Sequence, residues 1–190
     1  MNSVNKTLIN WLNNLDKFSF KNYEELPDID LYMDQMVTFL EKQLNIFQTS
    51  TLDKQITPSM INNYVKGEVI TAPIAKKYNR EHLALIEEVC TLKQVLTIAE
   101  VKQILDDRYK TNDAIKQDIF NNFKDLVNEK NHEAITFVNN SLENIENNDL
   151  NELTNLALNL ACTANAYITI AKRILFLNKL HKDQINNQNK

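Results

Sequence analysis

Apolar residues recur every three or four positions along most of the chain, which predicts helices rather than strands. The first such segment is Ser3–Leu15, and we expect the side that carries the only tryptophan, Trp11, to dock on the rest of the protein. Phe18–Pro27 is predicted to be a connector. Asp28 can then cap a second helix. The apolar face of this second helix comprises Leu31, Met36, Val37, Leu40, Leu44 and Phe47.

The clearest helix signals lie in the middle of the chain, after the polar stretch 48–55. Thr57-Pro58 combines an N-cap residue with a proline at the first helical position, so a helix is predicted over Ser59–Lys66. Gly67 follows, and we expect it to end the helix in a left-handed conformation. Val69–Tyr78 is predicted to be extended, because Pro73 disfavours helix near it.

Two more helices have recognisable starts. Asn79 is expected to cap the first of them, and Thr97–Glu100 has the spacing of a capping box for the second. The buried stripe predicted for the first helix contains Leu83, Ile86, Val89, Cys90 and the stem of Lys93.

Beyond Arg108 the chain contains neither glycine nor proline, so long helices are expected. One apolar face runs from Ile115 to Ile145, as a single helix or as two with a break near Asn128–Asn131. Asn147–Asn148 interrupts the pattern. Asp149 and Glu152 then resemble another capping box, and a final helix to about Lys182 would complete a helical hairpin.

The final helix is apolar on more than one side, so we expect it to be covered all round. The N-terminal helices or a second copy of the chain would pack over the final helix. Alanines along the final helix would allow the packing helix to approach closely. Its uncharged run Leu153–Ala171 is about as long as a bilayer is thick. Three asparagines within the run and Lys172-Arg173 at its end favour a buried helix over a membrane span.

Composition supports an all-α fold and removes several enzyme classes. The 190 residues include one glycine and three prolines, so phosphate-binding loops that need several glycines cannot be formed. We divide the chain into an N-terminal helix and connector (1–25), a helix-turn-helix unit (26–107) and a C-terminal helical part (108–190). Net charge is −4, so attraction to nucleic acid requires a local cationic patch.

The residues that usually carry chemistry are scattered. Cys90 and Cys162 are far apart in sequence, and we expect both to be buried free thiols in a protein of the reducing cytoplasm. His82, His132 and His181 do not have metal-binding spacing. We therefore expect no metal, no cofactor and no catalytic activity.

A basic cluster does lie in the middle of the chain. Between positions 54 and 80 there are five cations against one acid, Glu68, a local balance of +4. Such a cluster can neutralise phosphates and release counterions, although a solvated basic face without a ligand is the alternative. The cations are Lys54, Lys66, Lys76, Lys77 and Arg80.

The order of elements around this cluster is similar to that of MerR regulators. There a recognition helix, a short wing and two further helices follow one another, as do Thr57–Lys66, the Pro73 extension, Tyr78–Leu83 and Leu96–Leu105 here. Tyr64 and Lys66 match the family's Tyr-x-Lys. More closely, Leu26–Leu105 resembles an uncharacterised bacterial family, domain of unknown function 1836. The residues that carry this second resemblance are Leu26–Gln35, Thr57–Tyr64 and Lys76–Leu83.

The MerR resemblance implies double-stranded DNA as the partner and a winged helix-turn-helix as the binding unit. Ser59, Asn62, Asn63 and Lys66 would face the major groove, where asparagine can read adenine. Lys76, Lys77 and Arg80 would hold phosphates. Tyr64 completes the predicted DNA-binding set, although both it and Tyr78 could instead be core residues.

Two hypotheses follow for the function. The first is a transcriptional regulator, homodimeric through the C-terminal helices and not bound to a membrane. The second is a helical protein–protein adaptor that has the winged-helix shape without using DNA. Salt dependence of binding to duplex DNA discriminates between them.

Overall fold

A computed structural model describes residues 4–47, 56–109, 116–146 and 149–188. It is mostly helical, in agreement with the all-α prediction. The described part also contains one two-stranded antiparallel sheet. In chain order the elements are α1 (Val4–Asp16), β1 (Leu31–Tyr32), α2 (Met33–Leu44), α3 (Pro58–Lys66), β2 (Lys77–Tyr78), α4 (Arg80–Leu92), α5 (Ile98–Tyr109), α6 (Lys116–Leu142) and α7 (Leu150–Gln188).

The apolar side chains form two clusters. The larger one joins α2, α3, α4 and α5 to the first half of α6, whose Phe120 is completely buried. The smaller one joins α1 to the second half of α6 and the first half of α7. Its buried members are Leu12, Ile135, Val138 and Leu142. The predicted docking of the N-terminal helix is thus confirmed, although Trp11 remains half exposed at its edge.

The second helix begins later than the sequence predicts. Leu31 and Tyr32 pair with Tyr78 and Lys77, so the residues after Asp28 are drawn into a strand instead of a helix. Helix α2 starts at Met33, and the backbone N–H of Tyr32 donates to the Gln35 side chain at 3.0 Å. The proposed cap at Asp28 was wrong because sheet pairing fixes the extended backbone of Leu31 and Tyr32.

The start of α3 is as predicted, and its end is not. The Thr57 hydroxyl accepts a hydrogen bond from the Met60 N–H at 3.2 Å, with Pro58 at the first helical position. Gly67 ends the helix with φ −79°, so the left-handed conformation predicted for it was wrong. The next residue, Glu68, has the positive φ of 54° instead. A Cβ at Gly67 would lie 3.2 Å from the Asn63 carbonyl oxygen, which explains the small residue.

Replacing Thr57 with valine tests the importance of the α3 cap. Valine keeps the shape and removes the oxygen that accepts from Met60, so we expect the free energy of unfolding to fall by about 1 kcal/mol. Chemical denaturation measures the change. Thr57→Ser, which keeps the oxygen, should lose much less, and an equal loss in both variants would contradict the capping role.

The other predicted helix starts are confirmed. The Asn79 side chain accepts from the His82 N–H, Thr97 and Glu100 form a reciprocal capping box, and Asp149 caps α7 by accepting from Asn151 and Glu152. Helix α6 is continuous from Lys116 to Leu142, so the alternative of a break near Asn128–Asn131 was wrong. Ile115 and Asn147–Asn148 lie outside the described residues.

Helix α7 differs most from expectation. Of its 39 residues, all of them described, none is buried, so the expectation of a buried helix was wrong within one copy of the chain. It is the one described helix that is long and apolar enough to cross a membrane, by length and composition only. Cys162 on α7 is exposed, which corrects the prediction of a buried thiol, whereas Cys90 is buried.

Candidate nucleic-acid interface

Helix α3 presents one polar face to solvent. Ser59, Asn62, Asn63 and Lys66 are all exposed, and their spacing of three, one and three residues places them on the same side of the helix. Ile61 is completely buried on the opposite side. The structure therefore groups four of the eight residues predicted to contact DNA on one accessible surface, which we call the α3 polar face.

Tyr64 belongs to the core and not to this face. Its side chain is buried in the main apolar cluster, and burial, assisted by the nearby Cys90, raises the pKa of its hydroxyl to about 12. The backbone carbonyl of Tyr64 accepts from the Val69 N–H at 2.9 Å and thereby ties the end of α3 to the following segment. Of the two alternatives for Tyr64, the core role is the one observed, and Tyr78 is buried likewise.

The segment predicted to be extended turns back on itself. The Lys77 N–H donates to the Ile74 carbonyl at 2.9 Å, and the two residues between them, Ala75 and Lys76, have φ of 49° and 63°. Two positive φ angles are typical of the type I′ hairpin turn, which normally uses asparagine and glycine. We call Ile74–Lys77 the wing turn. Lys76 is exposed within it.

Two of the predicted phosphate contacts are already engaged within the protein. The Arg80 guanidinium lies 3.1 Å from the Asp28 carboxylate and donates to the Leu26 carbonyl at 3.1 Å. The Lys77 ammonium lies 5.3 Å from the centre of the Tyr32 ring, a cation–π contact across the β1–β2 pair. Arg80 thus holds the segment before β1 against the start of α4, and the Lys77 contact joins the two strands.

His82 anchors the base of the wing turn, a role that sequence reasoning missed. It is buried, with its Nε2 3.2 Å from the Thr71 hydroxyl and its Nδ1 2.6 Å from the Asn79 side-chain oxygen. The Tyr78 ring meets it edge to face at 5.5 Å. The only signal in the sequence was the position of His82, three residues after the Asn79 cap.

The charge around the wing turn is more balanced in space than along the chain. Asp28 offsets Arg80, whereas the one acid of the basic segment, Glu68, lies 3.8 Å from the Lys102 ammonium. Lys54 lies outside the described residues. The exposed cations of the predicted site that make no ion pair with an acid in the described part of the chain are therefore Lys66 and Lys76.

Two buried glutamates on α4 are the most perturbed acids of the described structure. Burial raises the pKa of Glu87 to about 8, against an opposing effect of Lys21, and neither of its oxygens has a hydrogen-bond partner among the described residues. Burial also raises the pKa of Glu88 to about 7, although Arg108 at 2.7 Å and the Tyr109 hydroxyl at 2.6 Å donate to it. Both lie inside the main core rather than in the α3 polar face.

The arrangement offers binding by hydrogen bonds and cation contacts. Across the ranges that the structure describes, no three His, Cys, Asp or Glu side chains come close enough together to hold a metal ion. The amide groups of Asn62 and Asn63 can each donate and accept, and Lys66 and Lys76 supply positive charge.

Of three comparisons with known proteins, one gives a match, to a protein family. The chain matches no curated protein and no solved structure. The profile of a domain of unknown function, number 1836, matches residues 21–129, which is more than half of the chain and extends beyond α5 into α6. The chain therefore belongs to the family of domain of unknown function 1836.

Proposed function

We propose that the protein is a DNA-binding transcriptional regulator that uses a MerR-like winged helix-turn-helix. The observation that carries the proposal is the α3 polar face, in which Ser59, Asn62, Asn63 and Lys66 share one exposed side of a capped helix. Helix α3 and the strand that follows the wing turn both pack against α2. A polar recognition helix and a short wing mounted on one supporting helix suit insertion into a DNA groove.

The contacts divide into base reading and phosphate binding. Asn62 and Asn63 can each make a paired hydrogen bond to adenine in the major groove. Lys66 at the end of α3 and Lys76 in the wing turn bind phosphates. Arg80 and Lys77 position the wing instead, because Asp28, the Leu26 carbonyl and the Tyr32 ring already hold them.

The positive φ of Ala75 and Lys76 supports a binding role for the wing turn. A non-glycine residue in this region costs roughly 1 kcal/mol or more, and such strain is concentrated at functional sites. The hydrogen bond from the Lys77 N–H to the Ile74 carbonyl and the pairing of β1 with β2 hold the turn in this conformation, with Lys76 exposed.

The salt dependence of DNA affinity tests the phosphate contacts. Fluorescence anisotropy with a random-sequence duplex should give an affinity that falls steeply with salt concentration, because each contact releases counterions. Lys66→Gln and Lys76→Gln should each reduce the slope of log affinity against log salt by about 1. Lys130→Gln on α6 removes the same charge elsewhere and should leave the slope unchanged. Equal effects of all three substitutions would contradict the proposed site.

Base reading has its own prediction. On a duplex that the protein prefers, Asn62→Ala or Asn63→Ala should cost about 1–3 kcal/mol of binding free energy and leave the salt slope unchanged.

The alternative function, a protein–protein adaptor, is favoured by the exposed apolar side chains of α7. An adaptor would show weak binding to duplex DNA and no response to any of these variants.

A further inference from the structure

The outward face of the small sheet carries a row of three side chains. Tyr32 pairs with Lys77 across β1 and β2, and Lys77 pairs with Ile74 across the wing turn. Directly opposite residues of antiparallel strands point to the same face of a sheet, so Tyr32, Lys77 and Ile74 lie side by side. We call these three residues the wing row. Leu31 and Tyr78, which point to the other face, are both buried.

Ile74 is the most accessible member of the wing row. Its side chain is 77% exposed, more than that of any other large apolar residue in the described part of the chain. The Lys77 ammonium lies against the ring of Tyr32, at the other end of the row. Ile74 is therefore an apolar side chain held in water, and a partner that removes it from water gains free energy.

The backbone fixes Ile74 from both sides. Pro73 precedes it, and the proline ring restricts φ. On the other side, the Lys77 N–H donates to the Ile74 carbonyl at 2.9 Å. Ala75 and Lys76 complete the tight turn between them. An exposed apolar side chain on a backbone that is already ordered loses little conformational entropy on binding, which suits it to be an anchor.

We propose that Ile74 enters the minor groove of DNA and inserts as a wedge between two stacked base pairs, beside the bases that α3 reads. The inference rests on the proposed function, in which α3 takes the major groove. The strand that follows the wing turn packs against the same helix, α2, so the wing turn can reach the neighbouring minor groove. Isoleucine and proline are among the residues that unstack base steps in this way, and Pro73 and Ile74 are adjacent.

The wing turn has the size and the chemistry for this groove. The minor groove is roughly 6 Å wide, and the two strands of a hairpin lie about 5 Å apart, so the turn can enter edge-on. Ala75 at the tip has a small side chain. Lys76, which is exposed beside it, can bind a phosphate at the edge of the groove while Ile74 contacts the bases.

A wedge makes DNA binding depend on how easily a base step unstacks. Pyrimidine–purine steps such as TA unstack readily, whereas runs of adenine are stiff. Ile74 therefore determines specificity at bases that α3 does not contact, in addition to the adenines that Asn62 and Asn63 read. The wing row thus adds indirect readout of DNA to the direct readout by the α3 polar face.

The wing row is too small to be the docking surface of another protein. Taking about 200 Å² for a fully exposed large side chain, Ile74 and Tyr32 together offer roughly 250 Å². A specific protein interface needs about 800 Å² from each partner. A wedge in a base step needs only one inserted side chain.

Two duplexes of equal base composition test the wedge. One consists of alternating TA steps and the other pairs a run of adenines with a run of thymines, so both offer adenines to the α3 polar face. In fluorescence anisotropy the unmodified protein should bind the alternating duplex more tightly. Ile74→Ala should reduce the ratio of the two affinities roughly five-fold, because base steps differ in stacking free energy by about that factor.

Two control variants accompany Ile74→Ala. Ile74→Leu keeps an apolar wedge and should preserve most of the affinity ratio. Ile9→Ala makes the same change at an exposed position on α1 and should leave the ratio unaltered. Because Ile74 is exposed, Ile74→Ala should unfold at the same temperature as the unmodified protein.

The fluorescence of 2-aminopurine, placed within the alternating duplex, reports unstacking directly. Its emission should rise when the unmodified protein binds, and should rise much less with Ile74→Ala at the same occupancy. An unchanged affinity ratio in Ile74→Ala, or an equal rise in emission, would overturn the wedge and leave DNA binding by α3 intact. Docking of another protein on the wing row would give that result. No binding of the unmodified protein to either duplex would overturn the proposed function together with the wedge.

Discussion

Glu87→Gln is expected to make the protein about 3 kcal/mol more stable at pH 7 and to leave its stability unchanged near pH 4. Glu87 is completely buried on α4 without a hydrogen-bond partner among the described residues, and burial raises the pKa of its carboxyl to about 8. Lys21 opposes this effect, and the Cys90 thiol lies nearby. Glutamine keeps the shape and removes the ionisable proton.

The direction of the pH dependence of stability follows from the binding of the Glu87 proton in the folded and unfolded states. Because the folded-state pKa of Glu87 exceeds its unfolded value of about 4.5, the unfolded state loses the proton first as pH rises. The contribution of Glu87 is thus fully present below pH 4.5 and is lost progressively up to about pH 8. Urea denaturation between pH 4 and pH 9 measures it, with Glu143→Gln at an exposed position just after α6 as the matched control. Parallel stability curves for the unmodified protein and Glu87→Gln would show that Glu87 is ionised in the fold.

Arg108→Met is expected to destabilise the protein by about 3 kcal/mol at pH 8, with a smaller loss at pH 5. The Arg108 guanidinium lies 2.7 Å from Glu88, which is completely buried, and it also donates to the Ile119 carbonyl at 2.6 Å. Without it only the Tyr109 hydroxyl donates to the carboxylate. The loss is smaller at low pH because Glu88, whose pKa burial already raises to about 7, then takes up a proton.

A double variant separates the ion pair from simple packing. Glu88→Met with Arg108→Met removes both charges together, and we expect it to recover most of the stability that Arg108→Met loses. Thermal unfolding of the two single variants and the double variant completes the cycle. If the losses of the single variants add in the double variant, the pair makes no specific contribution.

Local signals in the sequence predicted the helix starts well. Thr57, Asn79, Thr97 and Asp149 all cap helices as expected, because a cap depends on residues within one helical turn. The Asp28 prediction failed because the backbone at Leu31 and Tyr32 is fixed by Lys77 and Tyr78, more than forty residues away. Pairing over that distance leaves no periodic signal in such short strands.

The resemblance implied a short wing near Pro73, but the conformation of the wing turn and the exposure of α7 were beyond sequence reasoning for different reasons. Ala75 and Lys76 adopt positive φ although neither residue favours it, so nothing in the residue types marked the turn. The apolar pattern of α7 was visible, but a pattern shows that a face needs cover and does not say which molecule supplies it. The burial of Glu87 was also hidden, because adjacent glutamates normally lie at the surface.

The candidate site was partly predictable. Helical spacing alone placed Ser59, Asn62, Asn63 and Lys66 on one side, and the structure leaves that side exposed. Spacing could not show that Arg80 is held by Asp28, since the two residues are far apart in sequence. The proposed contact set is accordingly smaller than the sequence suggested.

Selection of bound fragments from a random duplex DNA library, with the purified protein, tests the central claim most directly. Enrichment of a defined sequence, lost when both Asn62 and Asn63 are changed to alanine, is the predicted result. Recovery of an unenriched library by the unmodified protein, or the same enriched sequence from the double alanine variant, would contradict the assignment of the α3 polar face to DNA.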